Sequence, residues 1–261
     1  MISLIIPCYN EAERIQSSLT EVEEFSQKNP GLVDDVVIVD DCSYDNTLER
    51  ISFFSKKLPL QIHSLKVNSG KWAAIRKGIY HAKNDVVLLL DADFSASVFE
   101  LEEFGVDRLK FVKGSSVRGS SLAVFGSRFM DGAKVDGKSP YRTVVSKVYR
   151  RFVKFCYYLV MGDDGKFIDD FQCPFKLFNR KAIMGKMFTD RFAGDLELSC
   201  RLCADIVSIP VDFVHKRSSN VKVGTVFDMF FDSIRIVRKL RSEKKRWYGD
   251  GDGDWNMESV L

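Results

Sequence analysis

Two short acidic runs bring together side chains able to do chemistry. Asp91-Ala92-Asp93 sets two carboxylates on either side of one residue, directly after the apolar run 86–90. Unpaired carboxylates concentrated at a strand end are costly, so something cationic belongs there. A hard divalent ion, Mg2+ or Mn2+, takes oxygen ligands of this kind and also grips a diphosphate. The plainer reading, that the two aspartates cap a following helix, is open as well. Asp40-Asp41 repeats the pattern after a second apolar run. A carboxylate there is able to accept hydrogen bonds from a base imide or from ribose hydroxyls. The segment from Asp41 through Cys42, Ser43, Tyr44, Asp45, Asn46 and Thr47 is equally good turn and cap chemistry.

The elements that must position these groups alternate through the first 93 residues. Apolar runs predict strands at 2–7, 36–39, 60–66 and 86–90. Helical spacing predicts helices at 10–29, from the turn at 43–46 through 57, and at 70–82. Strands with continuous apolar cores, separated by helices, make an α/β fold, doubly wound around a mostly parallel sheet. Ligands of such sheets bind at the carboxyl ends of the strands, where Pro7-Cys8-Tyr9, Asp40-Asp41 and Asp91-Ala92-Asp93 all fall. After Asp93 the alternation weakens. Strands are predicted at 122–126 and 175–178, helices at 142–160 and 196–203, and an extended edge at 207–214.

The chain is expected to divide into one α/β domain over 1–223, a basic amphipathic helix over 224–248 that is a candidate membrane-interface element, and a disordered acidic tail over 249–261. The tail carries Asp-Gly-Asp-Gly-Asp without the later glutamate of a calcium loop. The net charge of +3 hides an asymmetry, because 216–246 carries ten Lys or Arg against Asp228, Asp232 and Glu243. Along that helix Phe227, Phe230, Phe231, Ile234 and Val237 fall on one side and the bases on the other. That pattern fits a membrane interface better than nucleic acid. No apolar run approaches eighteen residues and no signal peptide is visible, so the expected location is the cytoplasm, peripheral at the cytoplasmic face of a membrane. The six cysteines then read as reduced thiols.

Four segments occur in order and spacing: Pro7-Cys8-Tyr9-Asn10-Glu11, Val39-Asp40-Asp41-Cys42-Ser43, Asn68-Ser69-Gly70-Lys71 and Asp91-Ala92-Asp93. Together they resemble the family 2 glycosyltransferases of the GT-A fold, over residues 1 to about 240. The resemblance implies that Pro7, Tyr9, Glu11, Asp40 and Lys71 hold a nucleotide-sugar, and that Asp91, Ala92 and Asp93 hold metal and diphosphate. Gly126-Ser127-Arg128 and the run from Asp170 to Phe178 resemble the polyprenyl-phosphate sugar transferases, dolichyl-phosphate β-glucosyltransferases in particular. In that group Arg128, Arg142 and Ser146 would gather the acceptor phosphate, with Gln172 beside them. Two arginines and a hydroxyl suit a phosphate monoester.

The implied reaction is an inverting, metal-dependent transfer of a hexose to a polyprenyl or dolichyl phosphate. UDP-glucose is the first expectation for the donor, ahead of UDP-N-acetylglucosamine and GDP-mannose. Asp91, Asp93, Arg128 and Asp170 would form the catalytic group, Asp170 orienting the acceptor. Rival readings are transfer to a soluble saccharide, with Asp170 or Asp195 as base, and a non-catalytic nucleotide-sugar-binding module. A membrane surface or a membrane-spanning partner would bring the enzyme to its lipid. Two positions depart from the family pattern: Trp72 and Pro174 stand where glycine is usual. Asp195 and Glu197 resemble the family's Asp-x-Glu, and either support the site or face solvent.

Overall fold

The apolar runs that end in acidic residues lie at the centre of one seven-stranded sheet. The computed structural model describes residues 1–105, 112, 122–136, 140–162, 167–183, 186–202, 205–214 and 223–248, with backbone alone at 122, 140–144, 205, 223–226 and 245–248. The predicted tail over 249–261 and Cys203 lie outside the described residues. In chain order come β1 (Ile2–Cys8), α1 (Ile15–Lys28), β2 (Val33–Asp40), α2 (Thr47–Ser52), β3 (Leu60–Ser64), α3 (Lys71–His81), β4 (Val86–Leu89) and α4 (Glu100–Phe104). They are followed by β5 (Leu122–Ser127), β6 (Val135–Asp136), α5 (Pro140–Met161), β7 (Lys176–Asn179), α6 (Gly194–Arg201), β8 (Asp205–Pro210), β9 (Phe213–Val214) and α7 (Val223–Tyr248).

The sheet runs β3-β2-β1-β4-β7-β5-β8. All its neighbours pair in parallel except β7, which is antiparallel to both β4 and β5. This one reversal matters for the site. A strand running backwards starts at the edge where the others end, so the segment before β7 arrives beside the ends of β4 and β5. Lys176 accordingly pairs with Leu89 on one side and Phe125 on the other.

Successive strand residues alternate between the two faces, as the period of two demands. Ile2, Leu4 and Ile6 of β1 join the cluster under α1, α2 and α4, with Ile15, Leu19, Val22 and Phe25 of α1. Ile5, Val37, Val39, Val87 and Leu89 join the opposite cluster under α3, α5, α6 and α7. Both faces are covered, as a sheet with apolar residues on each side requires. Helix α7 contributes Ile236, Val237 and Leu240 to that second core, and Ser233 Oγ meets the Tyr149 hydroxyl of α5 at 3.1 Å.

Several boundaries differ from the periodicity. Helix α1 begins at Ile15 instead of 10, because residues 9–12 form a loop bonded to the next one, with Asn10 at φ 55°. The helix predicted through 57 ends at Ser52. The extended run at 207–214 splits: β8 closes the main sheet, while β9 pairs with β6 in a separate two-stranded ribbon. That ribbon clasps the chain just past the acidic triplet, Val214 N donating to Ser95 O at 2.9 Å.

Candidate functional site

Two loops at the carboxyl edge are laced into one wall. The backbone N–H of Asn10 donates to Ser43 Oγ and that of Glu11 to Thr47 Oγ1, each at 2.8 Å, and Ala12 N–H donates to Asp45 at 3.2 Å. In return Tyr44 N–H donates to the Asn10 side chain at 3.0 Å. Tyr9 and Tyr44 stand exposed on this wall with their rings edge to face, 6.2 Å apart. The paired aspartates divide their work. Asp40, buried at the end of β2, accepts from Ser43 N–H at 3.1 Å. Asp41 accepts from the N–H groups of Ser69 and Gly70 at 2.7 and 2.8 Å and so anchors the loop that leads into α3. Turn chemistry therefore operates at both.

The acidic triplet meets a lysine. Lys71, the first residue of α3, reaches back to Asp91 with Nζ–Oδ1 at 2.5 Å. Burial pulls the Lys71 pKa down, and the charges of Asp91, Asp195 and Asp93 together overcome it, so that the pKa is raised. Gly70 precedes it at φ 106°, and a Cβ there would come within 2.7 Å of Asp190 O, so glycine alone fits the approach of α3 to the 190–191 loop. Asp93 accepts from Ser95 N–H at 3.0 Å, and the Ala92 carbonyl from Ser18 Oγ at 2.7 Å, which pins the triplet to α1. Across a narrow cleft lined by Pro7, Lys71, Trp72, Asp91, Pro174 and Asp195, the buried Lys176 donates to Asp195 at 2.7 Å and to Cys173 O at 2.5 Å.

Trp72, unusual in this position, is fully buried against Gly194, where an added Cβ would lie 2.3 Å from the indole. The ring packs beneath the cleft, and the bare glycine lets α6 come close against it. Glu197 is also fully buried: it accepts from Thr189 N–H, Thr189 Oγ1 and Arg201 Nε at 2.9, 2.6 and 2.7 Å. It thus secures the loop before α6 and does not face solvent. Asp195, two residues earlier, points toward the lysines.

A second corner forms where β5 ends. Asp170, 1% exposed, takes Arg128 Nε at 2.7 Å and Nη2 at 3.0 Å, and accepts from Gln172 N–H at 3.1 Å. Burial alone would raise the Asp170 carboxyl, but the guanidinium reverses this and holds it below the usual range. Burial likewise opposes the charge on Arg128, and Asp170 with a smaller part from Asp91 raises its pKa instead. Arg128 stands over Phe213 at 5.0 Å and Phe129 at 5.7 Å, and Arg150 of α5 over Phe129 at 3.9 Å. Ser146 is half-buried on α5, one turn after Arg142, whose side chain lies outside the described residues. Arg150 carries no motif of its own, and Lys176 stands in the 170–178 run without a role assigned from sequence; their participation follows from stacking and from the reversed strand, which spacing along the chain does not reveal. Cys8, Cys42, Cys156, Cys173 and Cys200 are free thiols.

Charge at this edge gives a pH signature. Burial raises the Glu11 carboxyl to about 7, Asp93 and Asp91 adding to the shift and Arg14, 2.7 Å away, opposing it. An unfolded glutamate titrates near ~4.3. The fold thus favours protonated Glu11: the stability it contributes is full below about pH 4.3 and is lost as pH rises through about 7. Glu11→Gln stays neutral throughout. Without divalent cations its melting temperature should gain on the parent's between about pH 5 and pH 8, in a thermal melt at each pH. A difference that does not change with pH would contradict the assignment.

The model of "Glycosyl transferase family 2" matches residues 3–104, from β1 to the end of α4. A dolichyl-phosphate beta-glucosyltransferase of Trichomonas vaginalis is 30% identical over 248 residues, covering 90% of this chain and 72% of that protein. The protein of the same name from Saccharomyces cerevisiae is 27% identical over 253 residues, covering 92% and 72%. Among solved structures, glucosyl-3-phosphoglycerate synthase from Mycobacterium tuberculosis, in complex with Mn2+, UDP-glucose and glycerol 3-phosphate, superposes with a TM-score of 0.64 at 16% identity, over 92% of this chain and 79% of that one. The chain belongs to glycosyl transferase family 2 and is a glycosyltransferase.

Proposed function

We propose that the protein transfers glucose from UDP-glucose to the phosphate of a polyprenol of the dolichol type, with inversion at the anomeric carbon. The observation that carries this reading is the meeting of an acidic corner, Asp91 and Asp93, with an arginine corner, Arg128 on Asp170, at one edge of the sheet. The names of the relatives, dolichyl-phosphate beta-glucosyltransferases, support the acceptor. The UDP-glucose in the structural neighbour supports the donor.

In this reading Pro7, Tyr9, Glu11 and Asp40 form the nucleoside wall, and Lys71 meets the donor diphosphate. Asp91 and Asp93 offer oxygen ligands alone, which suit a hard Mg2+ or Mn2+ ion, and the neutral form that burial favours at the nearby Glu11 is favoured further by their charges. Among the described residues no three His, Cys, Asp or Glu side chains converge on a metal position, so the ion's other ligands would come from the diphosphate and water. When bound it would supply charge neutralisation of the departing diphosphate. Arg128, Arg142, Ser146 and Gln172 would gather the acceptor phosphate, and Asp170 fixes the plane of Arg128. A phosphate monoester has a second pKa of ~6, so the attacking oxygen is already ionised near neutrality and needs no strong base. It forms the new bond to the anomeric carbon as the bond to the diphosphate breaks, and the nucleoside diphosphate leaves. What the protein supplies is in-line placement and charge.

No helix among the described residues is long and apolar enough to cross a membrane. A bilayer-confined acceptor must be met at the surface, and α7 offers a face for it. Phe227 and Phe231 are 62% and 70% exposed, with Ile234 beside them and Arg235, Arg238 and Arg241 also exposed. Each base near an anionic surface adds about 1 kcal/mol of attraction.

Two outcomes test this reading. Asp91→Asn or Asp93→Asn should lower kcat by about 100-fold or more with the melting curve unchanged, as should excess chelator. Full turnover in chelator would rule out the metal. Phe227→Asp with Phe231→Asp should release the protein from anionic liposomes in a flotation assay while UDP-glucose binding persists. Deletion of α7 is the poorer test, since its inner face is core. Undiminished flotation of the double variant would exclude α7 as the docking face.

A further inference from the structure

Two guanidinium groups stand over one ring, and they differ in what else they touch. Arg128 has Nε and Nη2 committed to the buried Asp170. Arg150 lies 3.9 Å from the centroid of Phe129, and no carboxylate among the described residues lies within ion-pair distance of it. A guanidinium against an aromatic face uses its own face for the contact. Its five N–H donors lie in the plane at the edge and stay available to an oxyanion. Two like charges sharing a ring repel. Asp170 cancels one of them, and the other still calls for an anion.

The position of Arg150 along α5 points the same way. It follows Ser146 by one turn and Arg142 by two, so the three residues fall on one stripe of the helix. Phe129 is the residue after Arg128, held in its turn by its N–H donating to Ser127 Oγ at 3.1 Å. The end of β5 thereby presents an aromatic platform to α5, and Arg150 is the side chain lying on it.

We infer that Arg150 binds the phosphate monoester of the acceptor, with Phe129 as the platform that fixes the guanidinium plane. Arg128, whose fork is taken up by Asp170, contributes charge and the geometry of the turn. Arg150 supplies the bidentate donors. This rests on the acceptor reading above and adds to it a residue that no spacing motif marks.

The test uses the full chain with UDP-glucose and farnesyl phosphate in detergent, with farnesol, inorganic phosphate and glycerol 3-phosphate as further arms. Arg150→Ala should raise the KM for farnesyl phosphate about 10- to 100-fold, with the donor KM and the melting temperature unchanged. Arg150→Lys, which keeps charge but loses the fork, should fall between variant and parent. Inorganic phosphate should compete with farnesyl phosphate in the parent and lose that effect in Arg150→Ala. Farnesol should not compete. If Arg150→Ala does not fold, Arg150→Lys and Arg150→Gln carry the same comparison. A parent that uses farnesyl phosphate, with variants of unchanged acceptor KM, overturns the role of Arg150 and leaves the acceptor reading standing. A parent that ignores farnesyl phosphate but binds glycerol 3-phosphate through Arg150 keeps the residue's role and overturns the lipid acceptor. A parent that binds none of the phosphates overturns both.

Discussion

Negative charge gathered at the carboxyl edge of a sheet has to be balanced, and most of the site's architecture follows from how this chain does it. Asp91 and Asp195 line one cleft, and Glu11 feels the charges of Asp93 and Asp91 beside it. Lys71 answers Asp91 from the start of α3, and Lys176 answers Asp195 from the start of β7. The balance is incomplete. Glu11 keeps a proton to about pH 7 because burial and the neighbouring aspartates make its charge costly. A site in that state favours an incoming cation, and a cation there favours a diphosphate. In the proposed reaction this same edge would receive a nucleotide-sugar carrying its metal.

The reversal of β7 is the second determinant. Had the strand run with its neighbours, Asp170 and Lys176 would have been delivered to the opposite edge. Antiparallel pairing with both β4 and β5 brings the 170–175 segment between the acidic triplet and Arg128. Asp170 then fixes Arg128 in a buried bidentate pair. Taking away either partner would strand a charge in the interior, at a cost of about 3–5 kcal/mol. Activity lost on substituting Arg128 therefore mixes folding with function, whereas Arg150, stacked at the surface of the same corner, separates them.

The sheet and its acidic ends were legible from the chain because they rest on local pattern. Apolar runs of strand length ending in Asp40 or Asp91 have few other meanings once helices alternate with them. What could not be read depends on contacts between distant segments. The start of α1 shifts to Ile15 because residues 10–12 bond to 43–47, and helical periodicity takes no account of that loop. The direction of β7 is invisible in Lys176–Asn179, since a buried strand reads the same either way. Glu197 looked like a surface or supporting acid on a helix, yet it is the buried acceptor for a loop eight residues back. Trp72, which stands where the family usually has glycine, is accommodated beneath the cleft by Gly194. Arg150 had no signal at all, because a stacking platform is made by a ring on another element.

The central claim is the reaction itself: a sugar moves from a nucleotide to a lipid phosphate. The most direct measurement is mass spectrometry of the lipid after incubating the full chain with a polyprenyl phosphate and, in separate reactions, UDP-glucose, UDP-N-acetylglucosamine and GDP-mannose. The account predicts a polyprenyl phosphate heavier by one hexosyl unit with UDP-glucose, its anomeric proton showing the β configuration by NMR. An unmodified lipid with every donor, alongside sugar transferred to a soluble acceptor, would contradict it.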